Sequence, residues 1–331
     1  MKNISLLLFL FLSTTTTTSF TQTYAEKLGY PKGAKVVILH VDDVGMSYDS
    51  NMGAIKATEE GVATSMSVMM PCGWVSGFVH YLKNHPKTDA GLHLTLTSEW
   101  SDYRWVPLAG KPTVAGLVDT EGAMWNNVLD VVKHAKPDEV DKEIKSQLER
   151  AKSMGFEPTH LDSHMGTLFA TPEFLEKYLK LGIENNIPVM FPGGHNTMIM
   201  KEPSSASLKI EQTTAIGKML WDAKLPVLDD LHNVSYGFKY PKDNSLTDNE
   251  LQRISTQQYI ESFKQLQAGI TMVIMHCTVP TEVFSHITDS GNIRRGDLLA
   301  MLSPELKKYI KDNGIILTTW REMKERRDKV K

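Results

Sequence analysis

A single-domain α/β fold, a distorted (β/α) barrel, is predicted by two features of this sequence. Eight short apolar, β-branched runs recur along the chain, and helix-like segments alternate with them. Alternation argues for parallel strands, because neighbouring parallel strands need a long crossover and a helix is the usual one.

The strand candidates are residues 36–41, 63–69, 91–96, 159–163, 187–191, 227–231, 271–276 and 315–319. Each is a short apolar stretch bounded by polar or turn-forming residues. Helix candidates fall at 51–60, 138–154, 172–185, 256–266 and 304–313, three of them closed by Gly61, Gly155 and Gly314. Glycine after a helix is a stop signal because it adopts the left-handed conformation of the closing turn. The stretches 97–126, 193–207 and 237–245 are too long for simple connections and read as substrate-side loops. In a barrel of this kind the chemistry is expected where such loops leave the C-terminal ends of the strands.

The 331 residues suffice for one large domain, and no linker or internal repeat divides them. A formal charge of −3 leaves no basic footprint, so a nucleic-acid partner is not expected. The chain opens with Met1-Lys2-Asn3, an apolar run from Ile4 to Leu12 and a Thr-rich stretch reaching Ala25. A cationic tip before a short apolar run reads as an export leader over residues 1–25, with the barrel occupying 26–331 and a periplasmic or extracellular destination. The run is too short to span a bilayer, which needs roughly 20 apolar residues, so no stable membrane insertion is expected after cleavage. Cys72 and Cys277 are the two cysteines, and their pairing stays open. Nothing in the sequence sets an oligomeric state.

Four strand ends carry the residues of chemical interest. The first strand ends in Asp42 and Asp43, followed by Val44 and Gly45. Two carboxylates side by side at a buried strand end repel and need a cation or a proton to coexist, although Asp is also a common helix cap. In Gly91-Leu92-His93-Leu94-Thr95-Leu96, the leucines share one face and His93 shares the other with Thr95. A third strand end carries His160, Asp162 and His164, and a fourth carries His276. One carboxylate and two imidazoles leave open positions on a divalent ion, which is how catalytic rather than structural sites are built. His276 suits acid–base work or a structural hydrogen bond equally well. Asp162 is placed either to orient His164 or His276 or to cap the turn. The loop after His93 carries Trp100, Tyr103, Arg104 and Trp105, which could wall a ligand site or simply anchor the loop, whereas Trp125 reads as an anchor.

Taken together these segments resemble the carbohydrate deacetylases of the YdjC-like type, which include chitooligosaccharide and hopanoid-associated sugar deacetylases. The matching stretches are His40-Val41-Asp42-Asp43-Val44-Gly45-Met46-Ser47 with Asn51, Gly61-Val62-Ala63-Thr64-Ser65-Met66-Ser67, Gly91-Leu92-His93-Leu94-Thr95-Leu96-Thr97, Thr159-His160-Leu161-Asp162-Ser163-His164 and the His276 strand. The resemblance covers nearly all of the chain after the leader. It implies a distorted (β/α) barrel, a divalent metal ion (zinc or magnesium) and removal of an acetyl group from an N-acetylated sugar or oligosaccharide. It further implies Asp43, His93 and His164 as metal ligands, Asp42 as general base and His276 as candidate general acid. Met165-Gly166-Thr167 after His164 and Cys277-Thr278 after His276 depart from the family pattern, so the chain reads as a divergent branch whose pocket wall differs. The competing expectations are hydrolysis of another amide or ester on the same barrel, and an exported glycan-binding protein without catalysis. The presence of Asp42 and His276 beside the triad speaks against the second.

Overall fold

The structure, a computed structural model, describes residues 22–202, 209–233, 235–240 and 246–331. Its centre is a curled, all-parallel sheet of β1 (Lys35–Val44), β2 (Ser65–Val68), β3 (Ala90–Leu94), β4 (Leu161–Ser163), β5 (Asp230–Asn233), β6 (Gly269–Met275) and β7 (Ile316–Leu317). The order is β4-β3-β2-β1-β6-β5, with β7 against the start of β1. Around it run α1 (Tyr24–Lys27), α2 (Tyr48–Glu59), α3 (Val75–Asn84), α4 (Val128–His134), α5 (Pro137–Ser153), α6 (Pro172–Asn185), α7 (Ile210–Asp222), α8 (Asp248–Phe263), α9 (Gly291–Met301), α10 (Pro304–Asp312) and α11 (Trp320–Lys329). The expected α/β barrel is the observed architecture.

The period-2 alternation of β1 sorts its side chains. Val37, Leu39 and Val41 face outward into the large core with Ala54 and Ala57 of α2, Phe78 of α3 and Leu298 of α9. Val36 and Ile38 face inward and fill the base of the barrel with Ile270, Met272, Ile274 and Trp320. Burying each such side chain stabilises the fold by about 1.5–3 kcal/mol. The inward series then continues to His40 and Asp42, so the barrel changes from apolar at its base to polar at its mouth. Trp320 separates the two layers, its ring stacked on that of His160 at 5.2 Å.

The expected strand at 187–191 is reduced to two isolated bridges, Leu161 with Val189 and Pro192 with Leu228. Pro188 lies within it and Pro192 directly follows it, and neither has an N–H to donate to a ladder. Those bridges still carry the sheet from β4 across to β5. Helix α8 starts before the expected 256, because Thr247 and Glu250 form a reciprocal cap in which each accepts from the other's backbone N–H. The expected strand at 227–231 begins later, since the Asp229 carboxylate turns away to accept N–H bonds from Tyr24, Ala25 and Ile270 at 2.8, 3.0 and 2.9 Å.

The leader expectation falls largely on residues 1–21, outside the described residues. Tyr24 and Ala25, which it also covers, are instead buried parts of the body of the fold. Parts of two long-loop expectations, 203–207 and 241–245, likewise lie outside the described residues. Cys72 and Cys277 are both buried and unbridged. Among the described residues no helix is long and apolar enough to cross a membrane.

Candidate active site

Strict alternation would send Asp42 and Asp43 to opposite faces of β1. The pairing of β1 with β2 slips between Val41 and Val44, and Asp43 sits at φ 63°. A left-handed residue within a bulge re-aims its side chain at a cost of about 1–2 kcal/mol, lowest for Asp and Asn among residues with a side chain. The result is that both carboxylates approach His93: Asp42 Oδ2 lies 3.7 Å and Asp43 Oδ1 3.4 Å from its Nε2. His164 joins them from the end of β4, with Nδ1 3.3 Å from Asp43 Oδ1 and 3.2 Å from His93 Nε2.

Asp43 Oδ1, His93 Nε2 and His164 Nδ1 thus form a nearly equilateral triangle, and these three residues could hold a metal ion. Its sides match the separation of about 3.3 Å between donors that sit tetrahedrally around an ion at about 2.0–2.1 Å. Asp43 Oδ1 is buried and accepts no hydrogen bond among the described residues, which is what a donor reserved for a cation looks like. The other atoms of the three side chains are committed elsewhere. Asp43 Oδ2 takes Arg294 Nη1 at 2.6 Å, His93 Nδ1 donates to Asp162 Oδ1 at 2.6 Å, and His164 Nε2 donates to Glu99 Oε2 at 3.0 Å. Carboxylates behind both imidazoles set which ring nitrogen carries the proton and leave the other lone pair for the triangle.

The electrostatics follow from these contacts. Burial works against ionisation of Asp43, but Arg294 and the imidazoles outweigh it and hold the carboxyl well below the usual range. His40, fully buried, is disfavoured as a cation by burial, yet Asp162 and Asp42 lift its pKa to about 9. Its Nε2 lies 2.9 Å from Asp162 and 3.1 Å from Asp42 Oδ1, which also accepts from Ser67 Oγ at 3.4 Å. That clamp fixes one oxygen of Asp42 and turns the other toward His93. His276 lies with Nε2 3.9 Å from Asp43 Oδ2, and burial together with Arg294 lowers its pKa to about 4. Its backbone N–H is held by Asp297, which also takes the Tyr259 hydroxyl at 2.7 Å.

All five residues expected at the centre of the chemistry, Asp42, Asp43, His93, His164 and His276, are therefore brought together. Asp162 requires a correction: it orients His93 and His40, whereas His164 is oriented by Glu99 and His276 is held through Asp297. The aromatic loop divides. Arg104 pairs with Asp119, Glu121 and the Met124 carbonyl, contacts that fasten its own loop. Trp105 is buried, donates to the Thr97 carbonyl and braces the His164 ring edge-on. Tyr103 donates to the Met46 carbonyl, and Trp100 stays half-buried between Trp105 and Arg294. Trp125 is an anchor as expected, donating to the Gly116 carbonyl at 2.8 Å.

Sequence reading missed Glu99, Arg294, Asp297 and the clamping role of His40. Glu99 was open to discovery as an acidic residue two positions beyond Thr97 at the end of the His93 strand. Arg294 offered no signal, being one arginine of a pair on a helix 251 residues from its partner.

Fold and site together define a parallel α/β barrel with an acid–imidazole donor set at the C-terminal ends of its strands. The chain belongs to the YdjC-like protein family, whose profile matches residues 36–312. It is 28% identical to a carbohydrate deacetylase of Thermus thermophilus over 300 residues, covering 91% of this chain and 97% of that one. A carbohydrate deacetylase of Brevibacillus brevis is 27% identical, with 87% and 99% covered. The fold is that of a crystal structure from Enterococcus faecalis V583 assigned to cellobiose-phosphate cleavage, with a TM-score of 0.69 at 19% identity, covering 88% of this chain and 99% of that one.

Proposed function

We propose that this protein is a metal-dependent hydrolase that removes an acetyl group from an N-acetylated sugar or oligosaccharide. The observation that carries the reading is the triangle of Asp43, His93 and His164 with the Asp42 carboxylate beside it. The relatives named carbohydrate deacetylase support the acyl group and the substrate class.

A divalent ion, zinc or magnesium, would be held by Asp43 Oδ1, His93 Nε2 and His164 Nδ1, where it would polarise an acyl oxygen and make water more acidic. Asp42, clamped through one oxygen by His40 and Ser67, presents the other to the same space and takes the proton of the attacking water. Arg294 neutralises the second oxygen of Asp43, so that residue remains a ligand and does not compete as a base. His276 is uncharged at neutral pH and sits beside Asp43, so to act as acid toward the leaving amine it first takes up the proton that Asp42 has removed from water, which returns Asp42 to its carboxylate form. Trp105 and the Glu99 carboxylate keep His164 from rotating out of position.

The test is acetate release from N-acetylglucosamine, its oligosaccharides and acetylated peptidoglycan fragments, before and after chelation. Turnover of at least one sugar amide, abolished by chelator and restored by a single divalent ion, is the expected outcome. Hydrolysis that persists in chelator, or cleavage confined to non-sugar esters, would overturn it.

Export to the periplasm or medium is part of the same proposal, supported by the cationic tip and apolar run at the N-terminus. The cut is expected upstream of Tyr24, because Tyr24 and Ala25 give their N–H groups to Asp229. The intact mass of the exported chain measures this, and a mature chain beginning after Ala25 would disprove it.

A further inference from the structure

Two large aromatic side chains stand in solvent on the same face of the barrel as the donor triangle. Tyr48, the first residue of α2, is 47% exposed, and Trp74, just before α3, is 48% exposed. Their rings meet at 5.3 Å with planes tilted by 58°. Both follow the C-terminal ends of strands, Tyr48 four residues after β1 and Trp74 six residues after β2.

The mount beneath them is rigid. Trp74 N–H donates to the Gly45 carbonyl at 3.0 Å, Asn51 Nδ2 donates to the Trp74 carbonyl at 3.0 Å, and the Gly45 N–H donates to Asn51 Oδ1 at 2.7 Å. Tyr103 Oη donates to the Met46 carbonyl at 2.5 Å and accepts from Gly73 N–H at 3.4 Å, tying the β1 and β2 loops together from the other side. Gly45 makes this possible: it sits at φ 87°, and a Cβ there would meet Val75 Cγ2 at 2.7 Å. Gly45 is two residues from Asp43. By chain geometry, the Trp74 Cα is then no more than about 14 Å from that of Asp43.

Half-exposed rings contribute little burial to the core, so their fixed backbone holds them for something that arrives from solvent. A tilted pair of aromatic faces, negative at their centres, fits the C–H-bearing face of a pyranose ring. We infer that Tyr48 and Trp74 form a platform for a second sugar ring of the substrate, so that an oligosaccharide, not a free monosaccharide, is the ligand. The occupant is a sugar because the platform rises from the ends of β1 and β2, beside the strand ends that carry the proposed deacetylation site, and its backbone lies within about 14 Å of Asp43, the reach of a short oligosaccharide anchored there. This inference rests on the glycan reading given above.

The experiment compares kcat/KM for N-acetylglucosamine and triacetylchitotriose in the wild-type protein, Trp74→Ala, Tyr48→Ala and Trp74→Phe. Trp74→Ala is expected to lower the value for the trisaccharide at least tenfold and leave the monosaccharide within twofold, with Trp74→Phe retaining most of the preference. Equal preference for the trisaccharide in wild type and Trp74→Ala overturns the platform while the measured deacetylation leaves the glycan reading standing. If no sugar is deacetylated, the hydrolase reading fails while sugar binding is still to be measured. Fluorescence titration with triacetylchitotriose then decides the platform: quenching lost in Trp74→Ala upholds it, and no quenching in wild type ends it. A wild-type dimer that Trp74→Ala dissolves on size exclusion would assign the pair to self-association and likewise overturn the proposal.

Discussion

Replacing His93 or His164 with alanine is expected to abolish ion binding and to lower deacetylation by more than the roughly 10–100-fold that losing an outer partner costs. Each imidazole supplies one corner of a triangle whose sides are 3.2–3.4 Å, and two remaining donors cannot enclose the ion. Elemental analysis of each purified variant measures the ion directly, and circular dichroism checks that the fold survives. Normal metal content in either variant would remove that histidine from the donor set.

The same donors make ion capture depend on pH. Burial opposes charging of His164, but Glu99 and Asp43 outweigh it and lift its pKa to about 9; His93 is likewise raised above 6.5, burial again opposing and Asp42 and Asp162 prevailing. A pKa raised by folding stabilises the ion-free protein fully below about pH 6.5, and that stabilisation fades as pH rises toward the folded value. Ion binding has the opposite slope, because the ligand is the neutral imidazole and each ion displaces protons. The melting-temperature gain on adding the ion is therefore expected to widen between pH 6.5 and 9. A gain that is flat or shrinks over that interval would contradict the arrangement.

Asp42→Asn is expected to keep the ion and to lose about 10²–10⁴-fold in kcat, the usual contribution of a positioned general base. Asparagine has the shape of aspartate and retains an oxygen for Ser67 and His40, so the polar layer beneath the site keeps its packing. The amide has no basic lone pair to take a proton from water. Metal content equal to wild type together with depressed kcat separates this outcome from that of the histidine variants. Undiminished turnover would exclude Asp42 as the base.

Legibility differed sharply between short-range and long-range features. Strand β1 was plain, since nine consecutive residues of it are buried and most are Val, Ile or Leu. Helix α6 was read to the residue because Thr171 and Pro172 mark its start. Residues 187–191 looked like a strand by composition, but Pro188 and Pro192 removed the donors that a ladder needs. Helices α1, α3, α4, α7, α9 and α11 went unread, as they are short or mix polar and apolar residues and are ordered by what they cover. The loop after β3 drew attention because its aromatic residues cluster; there Arg104 fastens the loop and Trp105 braces His164. The exposed aromatic pair of Tyr48 and Trp74 lies on the loops after β1 and β2, where only the folded structure shows it.

Sequence by itself determined the parallel barrel and singled out the acidic and imidazole residues at its strand ends, because hydrophobic period and residue type at strand ends are local properties carried by adjacent positions. Only the tertiary structure decided which carboxylate faces which imidazole. Asp162 falls to His93 and His40, Glu99 to His164 and Arg294 to Asp43, through contacts spanning 65 to 251 residues. Such pairings are set by strand register, by the bulge at Asp43 and by the docking of helix α9 onto the mouth of the barrel. None of these leaves a trace in local spacing, since each is settled by the packing of the whole sheet.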